Sequence, residues 1–165
     1  MKKLYIIRHA KSSWKDLSLD DFDRPLNKRG RLDAPVMGAR LKEKNILPDV
    51  IISSSALRAK ITAEVIAKSV GYDKDIQFEK DLYESSALLL YTTVMSVDDN
   101  SDTLFLFGHN TGINEFVEEY VKLYDNVPTC GVVEIEFECD KWIDITKENA
   151  KLISFDYPKN RDPIF

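Results

Sequence analysis

The 165-residue chain has two histidines, and each directly follows an apolar, strand-like run: Leu4-Tyr5-Ile6-Ile7-Arg8-His9 and Leu104-Phe105-Leu106-Phe107-Gly108-His109. In a parallel α/β sheet ligands gather at the carboxyl ends of the strands, so both imidazoles are expected at one rim. One histidine after a strand is commonly a satisfied structural residue, whereas two placements that agree on one crevice point to a site. A third run, Val50-Ile51-Ile52, leads through Ser53-Ser54-Ser55-Ala56-Leu57 to Arg58 in the first turn of the next predicted helix, and so to the same rim. Alone, Arg58 reads better as a surface helix residue paired with an acid. Beside Arg8 and the orphan N–H groups of a helix start, it can instead embrace the paired oxygens of a tetrahedral anion.

Two imidazoles and two guanidiniums around an oxyanion are what phosphoryl transfer through an enzyme nucleophile requires. One histidine must be neutral, held in a single tautomer by a partner on its other nitrogen, and facing solvent to attack phosphorus. The arginines and the second histidine, as a cation, then balance the charge of the transferring group. No metal or cofactor is called for: a zinc or two-metal hydrolase needs at least three clustered His, Cys or Asp ligands, and neither HxxEH-type nor DxD-type spacing accompanies these histidines.

These residues need a scaffold that delivers them to one edge. Strand-like runs occur at Leu4–Ile7, Val50–Ile52, Ile76–Phe78, Thr103–Phe107, Val132–Phe137 and Leu152–Phe155. Helix-like stretches lie between them at Arg29–Lys44, Ala56–Ser69, Ser86–Val97 and Ile113–Tyr124, with apolar spacing near 3.6. Strand and helix alternate up to residue 124, which predicts an α/β fold with a mostly parallel central sheet flanked by helices. The last two strands have no helix between them and are expected to pair antiparallel at one end. Pro35 and Gly38 lie inside the first helical stretch and predict a kink or a late start there. Ser96–Asp102 reads as a polar loop and Pro158–Phe165 as a loosely held tail.

Length and composition, with 44% hydrophobic and 31% charged residues, fit one domain over 1–165. No apolar run is long enough for a bilayer span or a signal-peptide core, so a cytoplasmic protein with no membrane partner is expected. Cys130 and Cys139 read as reduced packing residues. A net charge of −5 argues against nucleic acid as a partner. The charge is uneven: residues 1–31 hold nine Lys or Arg against four Asp, so an anion could be drawn to that part, or the face could simply be solvated. Asp20, Asp21 and Asp23 are expected to shape their loop through local side-chain to backbone bonds. Trp14 and Trp142 could each line a surface or fill the core.

Four ordered motifs spanning nearly the whole chain resemble those of the histidine phosphatase superfamily: Arg8-His9-Ala10-Lys11-Ser12-Ser13-Trp14, Asp23-Arg24-Pro25-Leu26-Asn27-Lys28-Arg29-Gly30, Ser53-Ser54-Ser55-Ala56-Leu57-Arg58-Ala59 with Thr62-Ala63, and Gly108-His109-Asn110. Within that superfamily the similarity is greatest to the phosphohistidine phosphatase (SixA-type) group. Ala10 stands where larger members carry glycine, and a small residue is kept. The resemblance implies a phosphoglycerate mutase-like three-layer sandwich, His9 as the phosphorylated nucleophile, and Arg8, Arg58 and His109 around the phosphate. It also implies that Arg24 reaches the phosphate or its leaving group. Glu84 stands about where many relatives place a proton donor; alternatively it is a solvated carboxylate favoured by a helix start.

Mutases and sugar-bisphosphate phosphatases of the superfamily insert long segments over a small substrate, and residues between the third and fourth predicted strands here are largely spent on one helix. An open pocket suits phosphate carried on another protein, as phosphohistidine. A small phosphorylated molecule is the alternative substrate. A binding module that holds phosphate without turnover is a third reading, disfavoured by the presence of both histidines.

Overall fold

The computed structural model of the chain describes residues 1–161. Its strands are β1 (Lys2–Arg8), β2 (Val50–Ser54), β3 (Gln77–Glu79), β4 (Thr103–Gly108), β5 (Val132–Phe137) and β6 (Ala150–Asp156). Its α-helices are α1 (Lys28–Glu43), α2 (Leu57–Val70), α3 (Ala87–Met95) and α4 (Gly112–Tyr120). The strands form one sheet in the order β3-β2-β4-β1-β5-β6. The first four in that order run parallel, β5 pairs antiparallel with β1, and β6 pairs antiparallel with β5.

Side chains alternate across a strand, and here the alternation divides the core in two. Leu4, Ile6, Leu104 and Leu106 pack on one face against Leu90 and Val94 of α3 and Phe116 and Val117 of α4. Tyr5, Ile7, Phe105 and Phe107 pack on the other against Met37 and Leu41 of α1 and Ala63 and Ile66 of α2. Each fully buried aliphatic or phenyl side chain contributes about 1.5–3 kcal/mol. The result is the expected α/β three-layer sandwich, with its antiparallel pair at one end.

Sheet order sets where a site can form. β1 and β4 are neighbours, but the helices that follow them, α1 and α4, lie on opposite faces. The chain therefore parts at the carboxyl ends of these two strands and leaves a crevice between them. Arg8 of β1 lies opposite Gly108 of β4, so the next residues on the two strands are His9 and His109.

Local chemistry accounts for the helix starts. Asn27 accepts the N–H of Gly30 at 2.8 Å and so caps α1, and Ser86 accepts the N–H of Leu89 at 3.2 Å to cap α3. Contrary to the sequence expectation, α1 has no late start: it begins at Lys28 and runs unbroken through Pro35. Pro35 is on the exposed side, where water can serve the carbonyl that proline leaves unbonded. Gly38 faces α2, where a Cβ would collide with Ser69. Gly30 lets α1 approach the segment after His9, and a Cβ there would fall well inside contact of the Lys11 carbonyl oxygen. That oxygen also accepts the N–H of Asn27 at 2.9 Å. Gly30→Ala is therefore expected to destabilise the protein by about 1–3 kcal/mol, through overpacking against backbone that cannot yield cheaply. Urea denaturation measures it, and an unchanged midpoint would show that the segment moves freely.

Trp142 is fully buried and donates to Ser101 O at 2.7 Å, whereas Trp14 is 67% exposed. Both cysteines are free thiols. The expected loose tail begins with anchored residues: Pro158 O accepts from Arg40 at 3.3 Å and Asn160 N–H donates to Tyr157 O at 2.9 Å. Its last part, 162–165, lies outside the described residues. No helix among those described is long and apolar enough to cross a membrane.

Candidate active site

A pocket of about 650 Å³ opens at the crevice, and Arg8, His9, Trp14, Arg24, Arg58 and His109 are among the residues that line it. The two imidazoles face each other with ring centroids 5.0 Å apart. Sequence reasoning brought His9, His109, Arg8 and Arg58 to one rim, and the structure brings them into one pocket. It differs on exposure: His9 does not project into solvent but is only 7% exposed, as is His109. The reason is that loops from both sides of the sheet rise around the strand ends.

His9 Nδ1 lies 2.7 Å from Ala10 O. A carbonyl only accepts, so the proton of the neutral ring sits on Nδ1 and the lone pair of Nε2 is free for attack. This is the tautomer-fixing partner that sequence could not supply. Thr62 holds Ala10 in turn, accepting its N–H at 2.9 Å while donating to Arg58 O at 2.7 Å. His109 Nε2 lies 2.8 Å from Ser54 Oγ, which also accepts the N–H of Ala56 at 3.2 Å. Ser54 thus occupies Nε2 and leaves Nδ1 as the ring nitrogen without a protein partner. His109 Nδ1, Arg8 Nε and Arg58 Nε are buried without an internal partner. All three nitrogens belong to residues that line the pocket, and the two on arginine are donors in any state.

The arginines are held by residues that sequence reasoning passed over. Arg8 donates to Val127 O at 3.1 Å, and Asn110 donates to the same oxygen at 3.0 Å. Asp21 does far more than shape its loop, which corrects the local role expected for it. Its Oδ1 takes Arg24 Nε at 2.9 Å, its Oδ2 takes Arg58 at 3.0 Å, and its backbone oxygen takes a second Arg58 nitrogen at 2.7 Å. Tyr83 OH also donates to Oδ2. With Tyr83, Arg58 and Arg24 all favouring its charged form, the Asp21 carboxyl is pulled down to about 2. Arg24 also donates to Ser12 Oγ at 2.8 Å and stacks on the Trp14 ring at 3.4 Å. Nothing in the sequence separates Asp21 from Asp20 and Asp23, because two of its three side-chain partners, Arg58 and Tyr83, lie 37 and 62 residues away.

Glu84 is placed apart from His9. It is exposed and lines an adjoining hollow with Asp21, Arg58, Tyr83 and His109, on the far side of the main pocket. Among the described residues no group of three His, Cys, Asp or Glu is arranged to hold a metal ion.

Burial dominates the electrostatics of the imidazoles. Desolvation, with Arg58, Arg8 and Arg24 adding to it against the Ala10 hydrogen bond, pushes His9 down to about 4. Desolvation, then His9 and Arg58, pushes His109 down to about 3. Burial, more than the neighbouring cations, thus favours the neutral form of the His109 ring. The same shifts have a stability consequence. Between about pH 6.5 and 4 an unfolded histidine takes up a proton that the folded protein refuses, so stability falls on acidification through that window. Urea midpoints measured from pH 7.5 to 4.5 should decline, and less steeply in His109→Gln. Equal slopes would show that His109 titrates normally in the fold.

Comparison with known proteins adds an independent view. Residues 4–90 match the model of the histidine phosphatase superfamily, branch 1. An uncharacterised chloroplastic protein of Arabidopsis thaliana is 31% identical over 150 residues, covering 86% of this chain and 69% of that protein. A solved structure assigned as the phosphohistidine phosphatase SixA from Agrobacterium tumefaciens superposes with a TM-score of 0.79 at 23% identity, covering 95% of this chain and 99% of that one. The protein histidine phosphatase SixA in complex with tungstate superposes with a TM-score of 0.80 at 16% identity, covering 94% and 97%. At such identities the superpositions establish a shared fold.

Proposed function

Because the chain belongs to the histidine phosphatase superfamily, we propose that this pocket hydrolyses phosphohistidine carried on a protein, with His9 as the covalent nucleophile. The observation that carries the reading is the His9 ring itself: Nδ1 is engaged by Ala10 O, so Nε2 is free within a pocket lined by three arginines and a second histidine. That SixA binds tungstate, a tetrahedral oxyanion, is in keeping with it.

In this reading Nε2 attacks phosphorus, the P–N bond of the substrate breaks, and the departing imidazole leaves with its proton. Water then attacks the phosphoryl group, the P–Nε2 bond breaks, and inorganic phosphate departs with His9 restored. Arg8, Arg24, Arg58 and the Nδ1–H of His109 hold the equatorial oxygens, whose charge grows during transfer. No metal or cofactor takes part. A phosphoramidate protonated on its own nitrogen needs little help from an enzyme acid. The exposed position of Glu84 fits an auxiliary proton donor only if a leaving group reaches past His109.

The protein substrate is favoured by the mouth of the pocket. Residues 80–102, between β3 and β4, form a 3-10 turn, α3 and a short loop, and give no long segment to cover a metabolite. The test compares kcat/KM, in EDTA, for a phosphohistidine-bearing protein, 3-phosphoglycerate, a sugar phosphate and p-nitrophenyl phosphate. The phosphoprotein should lead. A lead of about tenfold for a small ester, worth about 1.4 kcal/mol, would replace this reading with a small-molecule phosphatase. Activity lost in EDTA and restored by Mg²⁺ or Zn²⁺ would overturn the metal-free mechanism.

A further inference from the structure

The surroundings of the pocket are electrically lopsided. Two shallow hollows adjoin it on one flank. The first, lined by Ser13, Lys15, Asn27, Lys28, Arg29 and Leu32 among others, shares Ser13, Lys15 and Asn27 with the pocket. The second, which includes Lys11, Arg29, Thr129 and Lys159, shares Lys11 and Thr129 with the pocket and Arg29 with the first hollow. The three depressions are therefore one continuous surface. Arg29 is paired with Asp33 at 3.0 Å, and Arg31 donates to Leu26 O at 3.0 Å. Lys11, Lys15, Lys28 and Lys159 are exposed, and among the described residues none forms an ion pair with a carboxylate. A separate hollow beside the pocket holds Glu84 and no lysine, and its Asp21 is paired with Arg24 and Arg58.

This polarity stands out because the chain as a whole carries a net charge of −5. Four ammonium groups without a carboxylate partner among the described residues lie on one side of the pocket mouth and repel one another, and that cost is relieved when an anionic surface covers them. Exposed apolar groups lie within the same flank: Trp14 lines the pocket and Leu32, 56% exposed, lines the first hollow. Cations around a few apolar anchors make a protein-docking face, since a small anion has no use for Leu32.

We infer that the flank formed by Lys11, Lys15, Lys28 and Lys159 docks an acidic face of the phosphorylated partner protein, steering its phosphohistidine to His9. The inference rests on the proposed activity for the identity of the cargo, and on the surface itself for the charge of the partner.

The experiment uses two peptides that differ only in whether glutamate or glutamine flanks the histidine. Each is prepared phosphorylated for turnover, and unphosphorylated with a fluorophore for anisotropy. At low salt the glutamate peptide should lead by about tenfold in both kcat/KM and affinity, with the lead shrinking as salt rises. Lys28→Glu/Lys159→Glu should erase the lead and leave p-nitrophenyl phosphate turnover unchanged. Lys28 is the first residue of α1, where a carboxylate suits the helix dipole, so the variant is expected to fold. Equal behaviour of the two peptides, or a lead that survives in the double variant, overturns the docking assignment while leaving phosphatase activity intact. A difference in anisotropy without turnover of either peptide retains the docking surface and overturns the phosphatase reading. Tight binding of tripolyphosphate with no discrimination between peptides assigns the flank to a small polyanion and overturns the inference.

Discussion

Replacing His9 with alanine is expected to lower turnover by about four orders of magnitude or more, the scale on which loss of a nucleophile acts. The imidazole is the group with a free lone pair at the centre of the pocket, and its neighbours cannot replace it. Arg8, Arg24 and Arg58 are cations, and His109 has one ring nitrogen engaged by Ser54 and the other buried. Removal of a ring that is 7% exposed leaves space at the pocket floor, but His9 is held by its backbone, with its N–H on Gly108 O at 3.1 Å. The variant should therefore fold. Mass spectrometry of wild-type enzyme quenched during turnover should find phosphate on His9. Substantial activity in a folded His9→Ala protein, or phosphate on another residue, would place the chemistry elsewhere.

The second large effect is expected at Arg58, where alanine should slow the reaction by on the order of a hundredfold or more. The side chain meets the pocket at an angle set by Asp21, which engages two of its nitrogens and leaves Nε without a partner. Truncation removes a charge from the transition state and also strips Asp21 of one of its guanidinium partners, so Arg24 should lose part of its support. Arg58→Lys separates the two contributions. It keeps the positive charge but cannot make both bonds to Asp21, and a rate close to that of alanine would show that geometry, more than charge, is what Arg58 supplies. Single-turnover rates with a saturating phosphoramidate measure the effect, alongside urea midpoints that report any loss of fold. An unchanged rate in Arg58→Ala would remove the residue from the catalytic pocket.

What could be read from the chain follows the range of the forces involved. Strand positions were legible because β1, β4 and β5 are runs of β-branched and aromatic residues, and the alternation of strand and helix implies a parallel sheet. His9, His109, Arg8 and Arg58 were legible because each stands a fixed, short distance from the end of such a run. The supports of these residues were not. Ser54 lies 55 residues from His109, and Asp21 meets Arg58 and Tyr83 only once three loops have come together. The strength of the burial acting on His109 was not legible for a related reason, since desolvation depends on what covers a ring and not on its position in the chain. Pro35 misled in the opposite sense: a strong local signal was overridden because its unbonded carbonyl lies on the solvent side of α1.

The separation of the two imidazoles, 5.0 Å, is close to the spacing of neighbouring strands, roughly 4.8 Å. It is inherited from the β1–β4 hydrogen-bond ladder, which also carries His9 through Gly108 O. The backbones that carry the two histidines can therefore part only if the centre of the sheet opens, which takes the full free energy of unfolding. Arg24 and Asp21 belong to a different unit, an excursion whose base is closed by Ser13 N–H to Pro25 O at 2.8 Å and Asn27 N–H to Lys11 O at 2.9 Å. That excursion can detach at far lower cost. In its rare open moments the molecule keeps its nucleophile intact and gives up the loop that holds Arg24 and braces Arg58, so the phosphate grip has a lower threshold of failure than the histidine pair it serves.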